Sequence, residues 1–344
     1  MPKTKTIIAF TTVLAFCVIV FGAYVRLTDA GLGCPDWPGC YGFLTVPETS
    51  DDLSKAAELF PDQVVESGKA WREMIHRYIA SLLGLLILVL FLLEFFKKTR
   101  KPWGENFSLR LSLGLFLLVV FQGLLGMWTV TLKVHPFVVL SHLIGGLATL
   151  SLLFVYLKHQ DQEEQTPSKI APLVFIGLTL LIAQIILGGW TSTNYAALGC
   201  PDLPFCYGEL WPSNMDMKEG FLKWQSFGQN YEGGLLTPPA RTAIHFMHRL
   251  GALVLTFGLG LIIIKYINHQ SEKIKFAAKL LAAALLAQLT IGVVMVWSSI
   301  ALVLATAHNA FAAILLLAFV ILALLIFLIG FFAAHEDDLK VEKS

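Results

Sequence analysis

Apolar residues in this chain gather into eight long runs, near 7–25, 72–94, 109–130, 137–157, 171–191, 241–264, 277–297 and 302–332. About 20 apolar residues let a helix cross the hydrocarbon of a bilayer. In lipid a backbone must satisfy its own N–H and C=O groups, so runs of this length predict transmembrane helices. The polar intervals between them are uneven. Those after the first and fifth runs are long, about 26–71 and 192–240. Those after the third and seventh are very short: one holds Lys133, His135 and Pro136, the other Ser298 and Ser299. A charged stretch from Lys158 to Lys169 (KHQDQEEQTPSK) divides the chain. The pattern predicts an all-α integral membrane protein whose eight transmembrane helices form two pseudo-symmetric four-helix bundles. The bundles are expected over 1–160 and 171–344, joined by a cytoplasmic linker at 161–170.

The halves are copies of one repeat. LGCPDWPGCYG (32–42) aligns with LGCPDLPFCYG (198–208) at an offset of 166 residues. Gln122 and Gln288 share that offset, as do His142 and His308, while His76 and His248 are 172 apart. Four helices is an even number, so both copies enter the membrane in the same sense. An axis along the membrane normal should relate them.

Composition supports this picture. Of 344 residues, 56% are hydrophobic and 14% charged, far from soluble usage. The net charge of +1 argues against a nucleic-acid partner and leaves the lipid bilayer as the obvious one. Lys3 and Lys5 before the first run resemble a signal peptide. However, the segment around Gly22 has its counterpart mid-chain around Gly188, so a retained helix is expected. No Arg- and Ser-rich transit sequence is evident, which points to a bacterial inner membrane. Lys97, Lys98, Arg100 and Lys101 follow the second run, and Lys265, Lys273, Lys275 and Lys279 surround the sixth-to-seventh turn. The positive-inside rule then puts both termini in the cytoplasm and the two long loops outside. Those loops hold Cys34 and Cys40, and Cys200 and Cys206, in a compartment that permits disulfides. Zinc ligation is the weaker alternative, because five intervening residues with prolines are unusual for a structural site. Cys17, mid-helix, reads as a small apolar core residue.

Each half carries one histidine on its second run and one on its fourth: His76 and His142, then His248 and His308. All four are expected about a turn inside the outer helix ends. Two imidazoles at one depth on facing helices hold a haem iron from both sides. The porphyrin would supply the remaining nitrogens, so no cluster of other ligands is needed. A hydrogen-bonded packing histidine or a proton relay is the alternative for any one of them. Two matched pairs favour metal ligation. His159, His269 and His335 read as solvated, and His135 as a turn residue.

The halves differ at one informative place. Glu73-Met74-Ile75-His76-Arg77 stands against His245-Phe246-Met247-His248-Arg249. Positions i and i+3 share a helix face, so Glu73 points toward whatever His76 binds. A carboxylate there can move protons or orient water, unless it is merely paired with Arg72 or Arg77. Arg77 and Arg249 are candidates to reach haem propionates, with snorkelling as the alternative. Arg26 is a similar candidate, specific to the first half, because its counterpart is Ser192.

GAYVRLTDAGLGCPDWPGCYG (22–42), followed by EMIHR (73–77), a histidine on the fourth helix and a repeat of the whole, resembles the haem A synthase family over nearly the entire chain. The paired loop cysteines resemble the bacterial form. The resemblance implies a membrane oxidoreductase that converts the methyl group of haem O to a formyl group. Two successive hydroxylations give a geminal diol that loses water, and the product serves terminal oxidases. It implies substrate haem at His76 and His142 with Glu73 close to the reaction, and haem b at His248 and His308. It also implies that the loop cysteines form disulfides. Haem O synthase and an unidentified electron-transfer partner would be its companions, and a homo-oligomer is compatible. The chain departs from the family pattern at Asp29-Ala30, where glycine or serine is common. A dihaem cytochrome that only passes electrons is one rival. A parallel-repeat transporter is a weaker one, because matched mid-helix breaks are absent.

Overall fold

The computed structural model describes residues 2–97, 106–160 and 172–341. Ten helices fall within them: α1 (Pro2–Leu27), α2 (Ser50–Leu59), α3 (Ser67–Phe95), α4 (Phe107–Thr131), α5 (Pro136–His159), α6 (Pro172–Thr193), α7 (Met217–Leu222), α8 (Pro238–Tyr266), α9 (Glu272–Trp297) and α10 (Leu302–Val341). All except α2 and α7 are long and apolar enough to cross a membrane, with spans of 22 to 29 residues. Large apolar side chains such as Phe10, Val13, Leu117, Phe175, Phe257 and Ile264 face outward. That surface would be a liability in water, whereas lipid tails cover it in a bilayer. The chain is a multi-pass membrane protein of eight spans.

Element ends show where the apolar pattern misleads. α3 and α8 begin at Ser67 and Pro238, earlier than runs 72–94 and 241–264, because their opening turns are polar. α10 continues to Val341, past the expected 332. The short helices α2 and α7 lie within the long loops and carry no apolar run. Caps start them instead: the Thr49 hydroxyl accepts from the Asp52 N–H at 3.2 Å, and the Asp216 carboxylate from the Glu219 N–H at 2.8 Å. The expected linker at 161–170 lies outside the described residues, as do Lys98, Arg100 and Lys101.

α1 packs on α3 and α5, and α4 on α3 and α5, forming one four-helix unit. α6 packs on α8 and α10, and α9 on α8 and α10, forming the second. Between units, α1 meets α10 and α5 meets α6. These are one contact seen twice, since α1 corresponds to α6 and α5 to α10. A pseudo-twofold relation follows. One continuous core crosses the interface, from Ile8, Ile87 and Leu150 in the first unit to Leu259, Leu281 and Phe319 in the second.

The repeat extends to backbone detail. Left-handed residues occur in matched pairs: Asp29 and Tyr195, Tyr41 and Tyr207, Lys133 and Ser299, Val134 and Ile300. A β-branched residue seldom adopts that region, yet Val134 (φ 52°) and Ile300 (φ 64°) both do, each closing the short turn before its unit's last helix. Asp29 adopts φ 47°, where glycine is the least strained residue.

Candidate active site

The two long loops fold alike around their cysteines. Cys34 is disulfide-bonded to Cys40, and Cys200 to Cys206, so the zinc alternative falls. Inside each ring an aspartate turns the chain. The Asp36 carboxylate accepts from the N–H groups of Tyr41 (2.6 Å) and Gly42 (2.8 Å), and that of Asp202 from Tyr207 (2.7 Å) and Gly208 (2.8 Å). The Gly208 N–H first, and that of Tyr207 with it, holds the Asp202 carboxyl below the usual carboxylate range. Gly33 lies against the backbone of Lys69, and Gly199 against that of Arg241, too close for any Cβ. Each ring therefore seats on the first turns of α3 or α8.

Arginine completes each clamp. Arg77 Nη1 donates to the carbonyls of Asp36 (3.0 Å), Pro38 (3.4 Å) and Gly39 (2.5 Å). Arg249 donates to those of Asp202 (2.7 Å), Phe205 (3.0 Å) and Cys200 (2.6 Å). Both were propionate candidates in the sequence, yet their guanidinium groups are largely committed to loop carbonyls. One donor of Arg77, Nη2, remains buried without a partner. Snorkelling to solvent is not what either does.

All four histidines face a glycine across a helix contact. A Cβ at Gly22 would lie 2.8 Å from His76 Cε1, and one at Gly126 would lie 3.7 Å from His142 Cε1. At Gly188 and Gly292 the distances to His248 and His308 Cε1 are 3.0 and 3.1 Å. The glycines keep the same 166-residue offset. The depths differ from the expected single turn. His76 is nine residues into α3 and His248 ten into α8, about two and a half turns or more, whereas His142 and His308 are six residues in.

His76 and His142 line one cavity of about 370 Å³. Glu73, Arg77, Gln122 and Arg26 share its wall, together with Trp37 from the first disulfide loop. Ser192, Thr193 and Asn309 of the second unit close the far side. The Nδ1 atoms of His76 and His142 are buried with no hydrogen-bond partner. A packing histidine would have one, so these imidazoles await another kind of partner. The donor set fits a haem: two neutral nitrogens on facing helices, glycine-smoothed contacts and an apolar wall. His308 Nδ1 is likewise buried without a partner, while a glutamine approaches each histidine of the second pair. Gln184 Nε2 sits 3.0 Å from His248 Nδ1, and Gln288 Nε2 sits 3.2 Å from His308 Nε2.

Glu73 is buried and paired with Arg77 at 3.0 Å, with side chains only 9% and 10% exposed. Its partner is thus Arg77 and not Arg72, whose Nε donates to the Gly68 carbonyl. His245 takes the matching place. Its Nδ1 lies 3.1 Å from the Cys200 N and its Nε2 3.3 Å from Arg249 Nε, and a neutral ring accepts from one of the two. Arg26 lies over the Tyr195 ring at 4.2 Å and donates to the Ser192 carbonyl at 3.1 Å. His135 is buried, not a simple turn residue, with Nε2 3.0 Å from the Gln225 carbonyl oxygen and its ring stacked on Phe227. Sequence reasoning missed Trp37, Gln184 and Asn309. A difference at matched positions was the available signal for all three: Trp37 against Leu203, Gln184 against Val18, and Asn309 against Leu143.

Two four-helix membrane units, each with a pair of glycine-backed histidines near its disulfide loop, define a repeat-built membrane protein of the kind that binds haem. Residues 5–320 match the COX15-CtaA family, described as cytochrome oxidase assembly protein, and the chain belongs to that family. It is 44% identical over 319 residues to a protein of Shewanella oneidensis named heme A synthase, covering 91% of this chain and 94% of that one. Proteins of the same name from Rickettsia bellii and Caulobacter sp. are 27% and 28% identical, each covering 88% of this chain and 92% and 90% of their own length.

Proposed function

We propose that this chain is a haem A synthase, a membrane oxidoreductase that converts the methyl group of haem O to a formyl group by successive hydroxylations. Family membership supports the activity, and the asymmetry between two otherwise matched units carries the assignment of roles. The first unit combines its histidine pair with Glu73 on the wall of one cavity, where the second unit has His245 at the matched position. There His76 and His142 hold the substrate. Glu73 stays on the cavity wall with one oxygen bonded to Arg77 and the other free to take a proton from, or orient, a water at the reacting carbon. In the second unit His248 and His308 would hold haem b, which would supply one-electron transfer there. Gln184, His245 and Arg249 orient that site and offer no carboxylate. The haem O tail lies in lipid, consistent with the apolar lining and with substrate entry from the bilayer.

The protein resides in a bacterial inner membrane, with disulfide loops outside and termini in the cytoplasm. Its substrate comes from haem O synthase, and its electrons pass to a partner not identified by sequence. The decisive experiment is extraction of haem from protein made with and without co-expressed haem O synthase, resolved by chromatography with mass detection. Haem A and its hydroxylated precursor should appear only with the synthase. Haem b alone in both preparations would make the protein an electron-transfer cytochrome.

A further inference from the structure

The two disulfide loops share backbone, aspartate turn and arginine clamp, but they differ in the side chain each presents. Trp37 stands where the second loop has Leu203, each just before a proline. Trp37 sits in the middle of a ring whose every other part is fixed. The Cys34–Cys40 disulfide closes it, the Asp36 carboxylate braces its far side, and Arg77 holds the carbonyls on both sides of Trp37. Trp37 is 44% exposed, with no hydrogen bond from its indole among the described residues, on the wall of the cavity that holds His76 and Glu73. A large rigid aromatic pinned at the mouth of an apolar cavity leaves much of its ring surface uncovered by protein.

We propose that Trp37 is a substrate-contacting residue: its indole packs against the porphyrin of haem O at the loop-side mouth of the first-unit cavity and sets the affinity for it. The ligand class is a flat tetrapyrrole, whose π-face an indole covers in offset or edge-on contact. Because the loop is already ordered, contact costs little side-chain or backbone entropy. Arg77 is then a positioning residue, tying the substrate cover to Glu73 by one side chain. Leu203 at the matched place has no ring to offer; the second loop carries its ring at Phe205 instead, where the first has Gly39. This inference rests on the haem A synthase reading.

The test uses the full-length protein in detergent with Trp37→Leu, which installs the matched residue, and Trp37→Phe, which keeps a ring. The Michaelis constant for added haem O should rise about tenfold in the leucine variant, the size expected for one lost stacked aromatic. The turnover number should change less than about threefold, and phenylalanine should restore the constant to within about threefold of wild type. Absorption of the second-unit haem should be unchanged in both. A leucine variant within about twofold of wild type overturns the proposal. So does loss of haem from both units in both variants, which would make the indole a folding element of the loop. A wild type that does not convert haem O overturns the functional reading, and this inference with it.

Discussion

Glu73 and His245 occupy one position in two matched surroundings, and each is tied to the arginine a turn further on, at 3.0 and 3.3 Å. The structural job of holding Arg77 or Arg249 is therefore met by either residue. What glutamate adds is a second oxygen that takes and gives a proton. Glu73→Gln keeps the size and an acceptor for Arg77 while removing that capacity. Conversion should fall about 100-fold or more, the usual scale for losing a general acid or base, with substrate haem still bound. The ratio of haem O to haem A in extracts reads it, and a Gln variant that makes haem A normally refutes the role. Glycine gives a second residue-scale prediction. At Gly22 a Cβ would sit 2.8 Å from the His76 ring, inside any normal contact. Gly22→Val should displace His76 and empty the first unit of haem while the second stays full. Haem stoichiometry per chain would show one site lost and not two.

The elements divide into those that composition announces and those that local contacts build. All eight spans were legible, because crossing lipid demands a long apolar run that nothing else in the chain imitates. Helices α2 and α7 were not legible, since they rest on Thr49 and Asp216 caps and on burial of Ala56 and Gly220, the latter against α8. The histidine pairs were legible from the repeat. The glycines behind them needed the helix contacts, and Trp37 needed the loop's course over the cavity. The loop clamp made by Arg77 and Arg249 was not legible for the same reason: the carbonyls they hold come from residues some 40 positions away. The loops themselves make a prediction. Ring closure over so few residues is worth roughly 2 kcal/mol by chain entropy. Cys200→Ser with Cys206→Ser should lower stability by about that much. Asp202 adds a pH dependence of known sign. Its folded carboxyl is held below the ordinary value, so its contribution is present above about pH 4 and is lost as pH falls through the lower folded value. Unfolding followed in detergent should show that acid loss in the wild type and not in Asp202→Asn.

At the scale of the whole molecule, two units of similar sequence hold a fixed relation while, in the proposed reading, doing different chemistry. The contacts that hold them are built from residues that correspond to one another. Arg26 donates to the carbonyl of Ser192, its own counterpart, and the Tyr195 hydroxyl donates to the carboxylate of Asp29, its counterpart, at 2.7 Å. A residue touches its own counterpart only near the pseudo-twofold axis, so this cluster marks that axis at the disulfide-loop side. The repeat was visible in sequence, but this seam was not, because it lies where the copies diverge: arginine against serine, aspartate against tyrosine. The seam also borders the first-unit cavity proposed to hold the substrate, whose wall includes both Arg26 and Ser192. Loosening it should therefore weaken the association of the units and substrate retention together. A double-mutant cycle of Asp29→Ala and Tyr195→Phe should give a coupling of about 1 kcal/mol, as expected for a hydrogen bond to a charged acceptor in a half-buried place. Burial raises the Tyr195 hydroxyl above its ordinary value, so the phenol remains a donor at neutral pH. In the unfolded chain it ionises near pH 10, and stability from this group should decline as pH rises past that point. Tyr195→Phe should flatten that alkaline decline. Strictly additive single variants, within about 0.3 kcal/mol, would mean that the Asp29–Tyr195 hydrogen bond does not help to hold the two units.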